Sequence, residues 1–251
     1  MADLLLELFS EEIPARMQWD ACDQLHKDLP VVLSIQKLLP EGELIHSSLF
    51  VTPHRLAIII PNLLTTQRDV NLELKGPKVG APQAAIDGFL KKSGMTLNQL
   101  EQRDGVYVAN IHQKGKPTTE VLKLVIEHIL KNFPWPKSMR WGAGEVTWVR
   151  PLHSILCIFD GKVVPVEFAG VKAGNVTCGH RFLSPKPITI KKAADYEVAL
   201  EKAHVICDRG KRRDKILTDA TALAKKHGLT LRKDDGLLDE VTGLVEWPVV
   251  L

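Results

Sequence analysis

The stretch that most constrains the fold runs from residue 154 to residue 168. Ser154 to Phe159 is an apolar run, Asp160-Gly161 is a turn pair, and Lys162 to Phe168 returns. Asp-Gly between two such runs predicts a β-hairpin closed by a type I′ turn. Both central residues need positive φ, which Asp tolerates and Gly adopts freely. Three basic clusters punctuate the surrounding segment from Lys137 to Phe182. Lys137-Ser138-Met139-Arg140-Trp141-Gly142 and Arg150-Pro151-Leu152-His153 precede the hairpin; Gly179-His180-Arg181-Phe182 lies beyond its exit. Guanidiniums held near strand ends are well placed to bind anions, because the sheet fixes their positions.

Elsewhere strand and helix signals are mixed, which with an antiparallel hairpin implies an α+β architecture: a mixed sheet with packed helices. Leu4 to Phe9 reads as a buried strand. Ser10 is placed to cap a helix through Gln18, Cys22 and Leu25 that ends before Pro30, with Glu11, Glu12 and Pro14 in its first turn. A second short helix is expected over Val31 to Leu39. Ser48 to Ile60 is strand-like, with Pro53 at an edge or bulge. Lys75 to Gly80 reads as a turn-rich loop, without the Gly-Lys-Ser/Thr ending of a phosphate loop.

A helix from Gln83 to Ser93 follows, with Lys91 and Lys92 at its negative end and Gly94 as its stop. Thr96 and Gln99 form a capping box. Gly105 to Gln113 is a strand, and Lys114 to Pro117 is a turn and a possible subdomain boundary. Leu122, Val125, Ile126, Ile129, Leu130 and Phe133 mark a helix over Thr118 to Phe133. Later elements are a strand over Lys186 to Ile190 and helices over Ala194 to Ile206, Arg209 to His227 and Leu237 to Val245. A strand signal from Trp247 then stops at Leu251, which is expected of a piece of a longer chain.

Composition narrows the function. The 251 residues are 45% hydrophobic and 25% charged, enough for a sizeable core, and the net charge is only +3. A nucleic-acid site must therefore be a local patch. Cys22, Cys157, Cys178 and Cys207 form no Cys-x-x-Cys pair, so a zinc site has no support. No basic region precedes Leu4 to Phe9, and no apolar run approaches the ~20 residues of a membrane helix, so a cytoplasmic protein with no membrane partner is expected. Neither a Gly-x-Ser-x-Gly elbow nor a His-Glu-x-x-His helix is present. Trp141, Trp148 and Trp247 are either core rings or base-stacking platforms. Lys211, Arg212 and Arg213 read either as a solvated helix end or as a phosphate contact.

Lys137-Ser138-Met139-Arg140-Trp141-Gly142, Val149-Arg150-Pro151-Leu152-His153, Cys178-Gly179-His180-Arg181-Phe182 and the closing Leu244 to Leu251 resemble the beta subunit of the two-subunit bacterial glycyl-tRNA synthetase. The opening Leu4 to Ala15, the segment Val51 to Ile58, and Lys75-Gly76-Pro77 fit the same family, in the same order. The resemblance implies a domain similar to the editing-type domain of the phenylalanyl-tRNA synthetase beta subunit, in the N-terminal part of a longer subunit. It also implies three partners: a separate alpha subunit, tRNA(Gly) and the remainder of beta.

ATP and Mg would be used by the holoenzyme through alpha, with no cofactor, metal or catalytic residue on this fragment. The expected role is tRNA binding and positioning, with hydrolytic editing or a purely structural role as alternatives. The candidate tRNA contacts are Arg55, Lys137, Arg140, Trp141, Arg150, His153, His180, Arg181, Lys211, Arg212 and Arg213. Arginine suits them because it pairs bidentately with phosphate and stacks on bases.

Overall fold

A computed structural model of the protein describes residues 1–42 and 46–251. In chain order the elements begin with β1 (Ala2–Ser10), α1 (Ala15–Ile35), β2 (Ser48–Val51), β3 (Arg55–Leu63), β4 (Val70–Lys78), α2 (Gln83–Ser93), β5 (Glu101–Arg103), β6 (Val106–Gln113) and α3 (Thr118–Lys131). Then come β7 (Leu152–Phe159), β8 (Lys162–Val163), β9 (Glu167–Phe168), β10 (Val171–Gly174), β11 (Val176–Cys178), β12 (Pro187–Thr189), α4 (Tyr196–Lys202), α5 (Arg209–Lys226) and α6 (Asp235–Thr242). Two compact units result: Met1–Thr65 with Thr118–Leu251, and Thr66–Pro117, inserted between β3 and α3.

The larger unit is built on a mixed sheet of order β2-β3-β1-β7-β10-β9, with β8 paired to β7. β1 is central and antiparallel to both β3 and β7, whereas β10 runs parallel to β7. β1 is apolar on both sides because both faces are covered. Leu4, Leu6 and Leu8 join the core under α1 and α3, and Leu5 joins the core under α4. Val121, Leu122, Val125, Ile126, Ile129 and Leu130 form the buried stripe of α3. Phe133, Trp135, Trp148 and Phe168 pack into one aromatic cluster with ring centroids 4.9–5.4 Å apart.

The Asp160-Gly161 turn has the expected signs, with φ of 52° and 69°. Its second arm is shorter than the pattern predicts. β8 pairs with β7 over Phe159↔Lys162 and Ile158↔Val163 only. Pro165 then has no N–H to offer the ladder, and the chain leaves to form β9, which pairs with β10 instead.

Several other boundaries differ from the sequence expectation. α1 runs unbroken through Pro30. The lost hydrogen bond and ring clash cost about 3 kcal/mol, less than the burial of Leu25, Leu29 and Leu33, each fully covered and worth roughly 1.5–3 kcal/mol. Ser10 does not cap α1; it ends β1, and the helix starts after Pro14. Glu11 and Glu12 are thereby left in a loop at the end of the sheet. Residues Ser48 to Ile60 are two strands joined by a turn at Thr52–His54, in which Thr52 Oγ1 accepts from the amides of His54 (3.2 Å) and Arg55 (3.0 Å). The α4 helix stops at Lys202, and His204 turns the chain with φ of 60°. Trp247 to Leu251 forms no strand.

The smaller unit is an antiparallel sheet of order β4-β6-β5 covered by α2. Lys75 to Lys78 is not a loop but the end of β4, with a register shift opposite β6. Gly76 is required there, since any Cβ would run into the Phe89 ring of α2. Gly94 ends α2 in the left-handed conformation, and the Thr96–Gln99 capping box forms, with Gln99 Oε1 accepting from the Thr96 amide at 2.8 Å.

Candidate functional site

The C-terminal end of β1 lies between the ends of β3 and β7, so three strands deliver polar side chains to one place. Inside the sheet, Glu7 of β1 meets Arg55 of β3, with Nε and Oε2 3.4 Å apart and both side chains fully buried. Arg55 also pairs with Glu246, beyond α6, and donates to the Cys178 carbonyl. Thr52 Oγ1 donates to Glu246 at 2.7 Å, and the Tyr196 hydroxyl donates to Glu7 at 2.5 Å. Burial works against the Arg55 charge, but Glu246 and Glu7 outweigh it and hold its pKa above the ordinary value. Burial pushes the Glu7 carboxyl up despite Arg55; Glu246 is buried too, yet Arg55 holds its carboxyl below the usual value. The arrangement is an ionised Arg55–Glu246 pair with Glu7 as the more easily protonated third member.

Above this core a cleft of about 260 Å³ opens, walled by Phe9, Glu11, His54, His153, Arg181 and Glu246 among others. The Phe9 ring lies 5.9 Å from the His54 ring and 6.1 Å from the His153 ring, with the Arg55 guanidinium 4.8 Å from its centroid. His153 Nε2 is 2.9 Å from Glu11 Oε1, and this hydrogen bond lowers the Glu11 pKa, so its carboxylate is ionised. Arg181 reaches Glu12 only at 3.5 Å and stacks on the exposed Phe182 ring, 5.4 Å from its centroid. His180 Nδ1 accepts from the amides of Phe182 (3.3 Å) and Leu183 (3.2 Å), which requires a neutral ring.

The candidate contacts divide sharply. His153 and Arg181 stand exposed at the cleft, and Arg150 lies three residues before His153 at the same strand end, half-buried, with Nη1 donating to the Val149 carbonyl at 2.8 Å. Arg140 and Lys137 are exposed, and neither has an ion-pair partner among the described residues. Arg140 follows Met139, whose amide and carbonyl bridge to Trp148. Trp141 is half-buried against the main core.

Arg55 and Arg212, by contrast, are not surface residues. Arg212 donates to the carbonyls of Val51 (2.6 Å), Ile206 (2.7 Å), Cys207 (3.1 Å) and Thr242 (3.3 Å), and burial lowers its pKa to about 10. Both arginines hold the fold together from inside, because a buried guanidinium must find its partners locally. Lys211 pairs with Glu197 at 2.6 Å, and Arg213 with Asp235 and Asp239. Pattern reading passed over Glu7 and Glu246 as partners. The available signal was one carboxylate within the apolar run Leu4 to Phe9, which burial obliges to find a cation.

Three of the four cysteines are buried and held as thiols. Burial pushes Cys22 and Cys207 up to about 12 and raises Cys157 as well. No group of three or more His, Cys, Asp or Glu side chains able to hold a metal occurs among the described residues. No helix of the described chain is long and apolar enough to cross a membrane.

The fold and site together define an α+β domain with a polar, aromatic-lined cleft at a sheet end. Residues 4–251 match the family model described as glycyl-tRNA synthetase beta subunit, and the chain belongs to that family. It is 49% identical to the glycine–tRNA ligase beta subunit of Ruegeria sp. (strain TM1040), 47% to that of Phenylobacterium zucineum and 45% to that of Paracoccus denitrificans. These alignments cover 99–100% of this chain but 37% of each relative, so the chain spans just over a third of their length.

Proposed function

We propose that this chain is the N-terminal part of a glycyl-tRNA synthetase beta subunit. It helps bind and position tRNA(Gly) for ATP-dependent glycylation at the active site of a separate alpha subunit. One observation carries the reading: His153 and Arg181 are exposed at one end of the sheet, with Arg150 half-buried beside them, while the arginines committed to folding are sealed inside. The reading includes a cytoplasmic location, likeness to the editing-type domain of the phenylalanyl-tRNA synthetase beta subunit, and use of ATP and Mg through alpha, not through this fragment. Contact with alpha and with the rest of beta completes the set of partners.

The test is tRNA binding across a salt series for Arg140→Ala, Arg150→Ala and Arg181→Ala in full-length beta with alpha. Each lost phosphate contact weakens binding to all tRNA sequences alike and reduces the slope of log affinity against log salt by roughly 0.7–0.9. Unchanged affinity and slope in folded variants would end the reading. The fragment alone is expected to show no ATP–pyrophosphate exchange above background.

A hydrolytic second reading is favoured by the Glu11–His153 pair at the cleft, since a carboxylate that orients an imidazole is what a general base needs. Deacylation of mischarged tRNA that disappears in His153→Ala would support it.

A further inference from the structure

The cleft at the end of β1 has features that a phosphate clamp does not require. Its floor and sides are flat rings: Phe9, with imidazoles 5.9 and 6.1 Å away on the chain segments flanking β1. Its charges nearly cancel. Arg181 pairs with Glu12, Glu11 is ionised beside His153, and Glu246 is already neutralised by Arg55 beneath it, so no positive surplus is left. A bare phosphate gains little from such a site, because an anion needs a surplus of donors and positive charge. A nucleobase fits better, since its face stacks on rings and its amino edge donates to a carboxylate. Glu11 supplies that acceptor: Oε1 takes His153, and Oε2 has no partner among the described contacts.

Size points the same way. About 260 Å³ falls just under the range of about 300–1,000 Å³ typical of pockets for drug-sized ligands, which suits one base and excludes a duplex.

We propose that this cleft holds one unstacked base of a single-stranded RNA segment, its face against Phe9, His54 and His153 and its amino edge toward Glu11. The proposal rests on the tRNA-positioning reading and specifies which RNA feature the sheet end accepts. The rim arginines, Arg150 and Arg181, then follow the backbone on either side of the inserted nucleotide. Bases that carry an amino donor (adenine, cytosine, guanine) are preferred over uracil, which has none.

The experiment uses full-length beta with alpha and a short single-stranded oligoribonucleotide carrying one 2-aminopurine, whose fluorescence falls on stacking. Adding the protein is expected to quench the single strand and to leave the fluorescence of its duplex with a complementary strand, where the base is already stacked, unchanged. Phe9→Leu and His153→Ala weaken binding roughly 5- to 150-fold, the span of a lost base–aromatic stack. Glu11→Gln removes the preference for amino-bearing bases over uridine in competition. His153 is exposed, so its variant keeps the test valid if Phe9→Leu fails to fold. Equal quenching of strand and duplex, or wild-type affinity in a folded His153→Ala, overturns the proposal. Tighter binding of 2-aminopurine riboside triphosphate than of the oligonucleotide overturns the RNA assignment.

The two readings fail separately. If Arg150→Ala weakens tRNA binding but the oligonucleotide is not quenched, the cleft proposal falls and tRNA positioning stands. If tRNA affinity is unchanged in every rim variant, the positioning reading falls regardless of quenching.

Discussion

Two sets of charges sit within one strand end of each other and behave as different materials. Beneath the cleft, Glu7, Arg55 and Glu246 are almost fully excluded from water, with Arg55 ion-paired to both carboxylates, Tyr196 hydrogen-bonded to Glu7 and Thr52 to Glu246. At the rim, Glu11 pairs with His153 and Glu12 with Arg181, with all four side chains about half exposed or more. The inner set cannot lose a member without stranding a charge in low dielectric, whereas the outer set exchanges its partners for water at little cost. Residue type does not separate them; burial does. An arginine here is part of the fold or available to a ligand according to whether its chain position lies under or beyond the last covered turn of the sheet.

The sharpest way to break this comparison is to remove Arg55. Arg55→Ala leaves the Glu246 carboxylate buried and unpaired, and the expected loss is about 3–5 kcal/mol in urea denaturation. Replacing Glu246 by Gln in the same chain should return part of that loss. Arg181→Ala should stay within about 0.5 kcal/mol of wild type, as exposed substitutions usually do. Equal losses at the two arginines would show that the inner and outer sets are not distinct.

Arg212 extends the inner class to an arginine without a carboxylate. Its guanidinium reaches four backbone carbonyls, in the β2 end, the α4–α5 loop and the last turn of α6. Arg212→Lys keeps the charge but replaces a planar five-donor fork with a compact three-donor ammonium that cannot span the same carbonyls. An expected loss of about 2–3 kcal/mol reflects carbonyls left without partners. A wild-type denaturation midpoint for the lysine variant would mean that charge alone suffices there.

How much of this was legible follows from the kind of signal each residue gives. The α2 and α3 helices and the Asp160-Gly161 turn are local: spacing, caps and positive φ decide them, and they appear where the pattern puts them. The run through Pro30, the early departure of the chain at Pro165 and the missing strand after Trp247 depend on what packs alongside, which a single segment does not encode. The same holds for the arginines. Arg55 and Arg150 both stand beside a proline-containing turn in the sequence, and only the partners of Arg55, 48 residues before and 191 after, mark it as internal. The sequence pattern puts Glu11 and Glu12 in the first turn of a helix; because that helix begins at Ala15, they are free to rim the cleft.

Gly161 tests the comparison from the opposite end of β7. The turn there is remote along the strand from His153, so it should affect stability without touching the rim. Gly161→Val forces a β-branched residue to φ of 69°, an expected loss on the order of 1–3 kcal/mol. Space is not the cause, since a Cβ there would sit 3.6 Å from the Lys191 carbonyl. The folded variant should bind tRNA like wild type. An unchanged midpoint would mean the turn does not hold that conformation in solution, and weakened tRNA binding by folded protein would tie the far end of the strand to the rim.

His180 lies between the two classes, half-buried behind the exposed Arg181 and Phe182, and it should show the smallest effect. Burial lowers its pKa, with His204, Arg55 and His54 adding to the shift and Glu246 opposing it. The neutral ring accepts the Phe182 and Leu183 amides at Nδ1, so protonation would replace an acceptor by a donor and open that turn. The sign follows from linkage: the unfolded chain takes up the proton at a higher pH than the folded one, so stability rises with pH across this interval. The His180 contribution is therefore fully present above the ordinary histidine value of about 6.5 and is lost as pH falls through the lowered folded value. His180→Asn keeps an acceptor oxygen near the Nδ1 position and removes the titration. Between pH 7.5 and 5, the wild-type midpoint should fall further than that of the asparagine variant. Parallel pH profiles would place His180 with the exposed set, its environment no different from water. A steeper wild-type profile makes it the outermost residue whose state the buried network controls.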